Sequence, residues 1–171
     1  MRRTLTALSL TAVLIAAAAG CAAEPGGHGD TVDLDAAREW AAGVQSEQSD
    51  GPGLAGSGTL TAEPADPDAE PDDGEEPSGV RLDFDAAKTV VRADVRCYGG
   101  HTAQVAVTVF TGDGASSDSF GDTIDCDEKS HDLALGTGGT SDVTSALIEA
   151  EADPATVVFV AVIEGLTVER E

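Results

Sequence analysis

Val91-Arg92-Ala93-Asp94-Val95-Arg96-Cys97 decides the fold, because every second residue is apolar and every residue between is charged. Side chains of a strand point to alternate faces, so a period of two buries one face and wets the other. The same alternation sets Ala103, Val105, Val107 and Val109 against Thr102, Gln104, Ala106 and Thr108. It sets Val80, Leu82 and Phe84 against Arg81 and Asp83. Ile124 and Cys126 bracket Asp125, and Leu133 and Leu135 bracket Ala134. Strands that are wet on one side belong to antiparallel sheets.

Working outward, Val157-Val158-Phe159-Val160-Ala161-Val162-Ile163 is continuously apolar and rich in β-branched residues. It predicts a central strand covered on both faces. Residue types in Thr144–Glu151 suit helix or strand. The alternation of Ala146, Ile148 and Ala150 with Leu147, Glu149 and Glu151, followed by Asp153-Pro154, favours strand. Gly58–Ala62 predicts a short first strand. Gly99-Gly100-His101 reads as a hairpin turn and Gly112-Asp113-Gly114 as a second turn. Ser116, Ser117 and Ser119 lie in a Gly/Ser/Asp stretch that reads as loop. The tally is roughly seven or eight strands over about 115 residues, which predicts a mainly β chain folded as a single antiparallel β-sandwich. The immunoglobulin pattern of a Trp between two Cys is absent, since the only Trp is Trp40. A jelly-roll-like and an Ig-like order of strands both remain open.

Before the strands, Leu34, Ala37, Trp40, Ala41 and Val44 recur at helical spacing and predict one helix over 33–48, with Asp33 or Asp35 as its cap. Gly51-Pro52-Gly53 stops it. Trp40 lies on the apolar stripe and is expected to dock the helix on the sandwich. Glu63–Pro77 carries eight acidic residues, four prolines and no base, which by composition is a solvated, disordered loop. Asp66, Asp68, Glu70, Asp72 and Asp73 alternate as oxygen donors, yet a calcium loop starting at Asp66 would need Gly sixth and Glu twelfth. Those positions hold Pro71 and Pro77.

The chain opens with Arg2-Arg3 and an uncharged run from Leu5 to Ala19, too short to span a membrane and suited to a secretory signal. It ends in Ala18-Ala19-Gly20-Cys21, which resembles the lipobox of bacterial lipoproteins. The resemblance covers residues 1–21 and implies a diacylglycerol on the Cys21 thiol, cleavage between Gly20 and Cys21, and anchorage on the extracytoplasmic face of the cell membrane. Ala18 departs from the family, which more often has Leu there. The richness in Ala, Gly, Asp and Val with few Lys resembles proteins of high-GC actinobacteria. The expected organisation is a signal peptide (1–20), a lipidated flexible tether (21–32), a helix with linker (33–55) and a sandwich domain (56–171) with an acidic loop (63–78).

Charge and cysteines agree with export. Losing Arg2 and Arg3 takes the net charge from −23 to −25. That field repels phosphates and anionic headgroups, so nucleic acid is excluded as a partner and attachment falls to the lipid. With Cys21 acylated, Cys97 and Cys126 remain. Both share the parity of inward apolar residues (Val95 and Ile124), so they point into the core and predict a disulfide. Closing such a loop stabilises by roughly 3–4 kcal/mol on the chain-entropy account.

Chemistry leaves little signal. No G-x-S-x-G elbow, phosphate loop or free thiol is present. His28 falls in the tether, and His131 with its acidic neighbours does not make a metal set, because strand neighbours point to opposite faces. No enzyme activity, cofactor or metal is expected. The candidate ligand contacts are Tyr98, outward by parity beside the Gly99-Gly100 turn, with His101, Phe110 and Trp40. The expected role is binding, as a monomer, to an envelope protein or polymer. Glycan binding and hydrolysis of cell-wall polymer are the alternatives.

Overall fold

The computed structural model describes residues 31–49, 51–65, 79–112, 116–135 and 138–165, and within them alternation becomes strand. Cys21, the tether with His28, and the carboxylates from Asp66 to Asp73 lie outside the described residues. A helix, α1 (Leu34–Gln48), precedes seven strands: β1 (Leu54–Ala62), β2 (Val80–Cys97), β3 (Thr102–Thr111), β4 (Ser116–Asp125), β5 (His131–Ala134), β6 (Thr140–Glu151) and β7 (Thr156–Glu164). Every ladder between them is antiparallel, in the order β1-β7-β2-β6-β3-β4, with β5 beside β2. The chain is mainly β, and its sheet is open and folded on itself as a β-sandwich.

The fold turns on β2. Its first half pairs with β6, from Val80↔Ile148 to Val90↔Thr140, and its second half pairs with β7, from Arg92↔Ile163 to Cys97↔Val158. The register shifts between Asp83 and Lys88 and again up to Val90. One strand therefore serves two layers, one built of β1, β7, late β2 and β5, the other of early β2, β6, β3 and β4. Their inner faces share one core that includes Val95, Val158 and Val160 from the first and Val107, Val109 and Ile148 from the second. Strand β1 comes close across this core. A Cβ at Gly58 would meet Val80 Cγ1 at 2.9 Å.

Strand β7 is covered twice, as its unbroken apolar run demands. Val158, Val160 and Val162 face the core, while Val157, Phe159 and Ala161 face α1. The helix presents Ala37 and Ala41 to Val157, and Val44 to Phe159 and Ala161. The two alanines let its backbone lie close to the sheet. Phe159 is fully buried beneath it, a burial that stabilises by about 1.5–3 kcal/mol. Asp33 caps the helix, its Oδ1 accepting from the N–H groups of Asp35 and Ala36 at 3.1 Å each. No described helix is long and apolar enough to cross a membrane.

Cys97 and Cys126 are bonded, with both side chains buried at 0% and 1% exposure. The bond ties the end of β2 to the chain just past β4, where Gly100 N–H donates to the Cys126 carbonyl (2.7 Å) and Cys126 N–H to the His101 carbonyl (2.7 Å).

Three local expectations are corrected. Gly99-Gly100-His101 is not a hairpin turn, because β2 and β3 do not pair; it carries the chain from one layer to the other. Gly99 has φ +112 there, and a Cβ on it would stand 2.8 Å from Val32 Cγ2, so only glycine suits. Ser116, Ser117 and Ser119 are strand, not loop: β4 pairs with β3 along its whole length. A strand at the edge needs few apolar residues, and the cross-strand hydroxyl pair Thr108–Ser119 (2.7 Å) supports it. The runs Val80–Phe84 and Val91–Cys97 are one bent strand, not two.

Candidate functional site

Tyr98 follows β2 on the outer face of the α1-bearing layer, in the same column as Arg96. Its N–H donates to the Val157 carbonyl (3.3 Å), and its own carbonyl accepts from the Thr156 hydroxyl. The backbone is thereby fixed, and the ring is tilted against Trp40 with centroids 5.7 Å apart. Trp40 and Tyr98 are both half-buried and pack with Val32 and Leu34 around Val157. Parity places Tyr98 outward as expected, but the helix covers part of it.

Beyond the Gly99-Gly100 corner, His101, Asp125, Asp127 and Asp153 line an open cleft of about 520 Å³ at the disulfide end of the sandwich. Asp127 is engaged with Lys129 Nζ at 2.5 Å and His131 Nε2 at 3.0 Å. Hydrogen bonds from Lys129 first, then His131, hold its carboxyl well below the usual carboxylate range. Among the described residues no three or more His, Cys, Asp or Glu side chains converge to hold a metal ion.

Phe110 lies elsewhere. It pairs with Ser145 and Ser117 on the outer face of the second layer. Arg81 stacks on it with its guanidinium carbon 5.0 Å from the ring centroid, and donates to Ser145 Oγ at 2.7 Å. Of the four candidate contacts, the structure gathers Trp40 and Tyr98 into one aromatic pair, sets His101 around the corner, and leaves Phe110 on the opposite side.

A further charged group escapes sequence reasoning. Asp94 and Asp132 face each other across β2 and β5, with Arg92 Nε 2.9 Å from Asp94 Oδ1 and 3.8 Å from Asp132 Oδ1. Burial raises the Asp94 carboxyl above its ordinary range, the hydrogen bond with Asp132 adds to this, and Arg92 opposes it. Nearby on the same face, Arg96 Nε is buried without a hydrogen-bond partner. Only the charge alternation on β2 hinted at this column, and nothing in sequence placed Asp132 opposite it. The chain matches no protein-family model, and no curated protein is similar to it.

Proposed function

We propose that the chain is an exported lipoprotein, held by an acylated Cys21 on the extracytoplasmic face of the cell membrane, whose sandwich is a binding module for an envelope protein or polymer. The observation that carries the reading is the buried Cys97–Cys126 bond, which belongs to an oxidising compartment. The lipobox-like Ala18-Ala19-Gly20-Cys21 supplies the anchor. The acidic surface leaves the lipid to hold the protein against anionic membranes. Fractionation of cells carrying wild-type or Cys21→Ser protein tests it. Wild type is expected to sediment with membranes, to resist a high-salt wash and to be released by detergent. The variant is expected to be soluble or unprocessed. Wild-type protein free of the membrane contradicts the reading.

Glycan binding is the second reading, and the Trp40–Tyr98 ring pair favours it. Trp40 is the only Trp, so its fluorescence, titrated with envelope polysaccharide, reports directly on that corner.

A further inference from the structure

Among the described residues β1, β5, β4 and the first half of β2 border the sheet, and they differ in how their free backbone groups are protected. Early β2 pairs only with β6, and it carries register shifts between Asp83 and Lys88 and between Lys88 and Val90 as well as Arg81 and Lys88. Strand β1 carries a register shift between Leu54 and Gly56, and its far end is tied down where Ala152 N–H donates to the Glu63 carbonyl (3.1 Å). Strand β5 has only four residues. Bulges and shortness are geometric blocks that refuse any incoming strand. Strand β4 has neither. It runs ten residues, from Ser116 to Asp125, in unbroken register with β3. It contains no Pro, Lys or Arg, and most of it is exposed.

What protects β4 is charge. Asp118, Phe120, Asp122 and Ile124 share the parity that faces inward, opposite Val109, Val107, Val105 and Ala103. Phe120 and Ile124 pack on the core, whereas Asp118 and Asp122 stay exposed at its margin. Asp118 accepts from the Thr140 hydroxyl at 3.4 Å, and Asp122 from the Thr123 N–H at 2.8 Å. No described Lys, Arg or His lies within ion-pair distance of either. Inward-pointing charge is a recognised guard on an edge strand. Unlike a bulge, it discriminates by sign. A second copy of the chain would bring its own Asp118 and Asp122 against these, between two strongly acidic bodies. A cationic strand would neutralise them.

We propose that the free edge of β4 is a docking site for an extended, cationic peptide segment, which adds as a further strand with Lys or Arg beside Asp118 and Asp122. Main-chain hydrogen bonds supply the affinity and the two carboxylates the selection. The proposal deepens the binding role above, and it does not involve Cys21.

The test uses the full protein extracted in detergent and a synthetic peptide of about ten residues alternating Lys with Val or Thr, with Glu in place of Lys as the control. The Lys peptide is expected to bind and to slow hydrogen exchange across Ser116–Asp125. Raising salt from about 0.05 to 0.5 M is expected to weaken binding about tenfold. The double variant Asp118→Asn/Asp122→Asn is expected to lose about tenfold in affinity. Keeping its disulfide and Trp40 emission, it is also expected to self-associate where wild type does not. Equal binding of the Glu peptide, slowing confined to other strands, an unchanged double variant, or wild-type self-association through β4 overturns the proposal. Failure here leaves the lipid anchor standing, while a chain that binds the peptide but fails to reach the membrane refutes the anchor alone.

Discussion

Asp94 stands apart from the other carboxylates because it is largely covered, at 17% side-chain exposure, and faces a second acid across the ladder. Its pKa is raised, so the folded chain holds this proton more tightly than the unfolded chain does. Stability from the group is therefore fully present below the ordinary Asp pKa and is lost as pH rises through the folded value. Asn mimics the protonated form at every pH. Thermal melts should show Asp94→Asn gaining on wild type between about pH 3 and pH 7; a difference constant over that range contradicts the assignment. At this scale the sequence was legible where period two applies. Val95 and Ile124 put Cys97 and Cys126 inward because strand parity is rigid. It was not legible for Asp94 with Asp132, or Arg81 with Phe110, whose meetings depend on registers set by strands far apart in the chain.

Elements differ in how much of themselves they announce. Strand β7 declares both its faces by carrying no polar residue from Val157 to Ile163, and α1 declares its stripe of Ala37, Ala41 and Val44. The bend in β2 is nearly silent, since Asp85-Ala86-Ala87 holds neither Gly nor Pro and the irregularity arises where one strand passes from its partner in one layer to its partner in the other. Strand β4 is nearly silent, because an exposed edge can be built of Ser, Thr, Gly and Asp, and only Phe120 and Ile124 mark its inner side. Glycines at 99 and 100 announce a change of direction without saying which strands then pair. For α1 a direct check exists. Ala41 is 1% exposed against the sheet, and Ala41→Asp forces a carboxylate into that contact at a cost of at least about 2 kcal/mol. The Trp40 emission should shift to the red and the melting temperature fall, while the strand signal in circular dichroism persists. An unshifted emission with unchanged melting would mean that the helix is not held by this contact.

At the scale of the whole molecule, the proposed export joins the N-terminal sequence, the acidic composition and the cystine. Arg2-Arg3, the apolar run and Cys21 fit the export proposed above, and a buried, bonded Cys97–Cys126 pair fits the oxidising compartment that export would reach. The sandwich offers one aromatic corner at Trp40 and Tyr98 and one charged strand edge at β4. The most direct test is mass spectrometry of the native protein from the membrane fraction, alkylated without reductant and then digested. The account predicts an N-terminal peptide that begins at Cys21 with a diacylglycerol on its thiol, together with Cys97 and Cys126 recovered unalkylated in one cross-linked pair. An unmodified Cys21 still joined to residues 1–20, or alkylated Cys97 and Cys126, would contradict it.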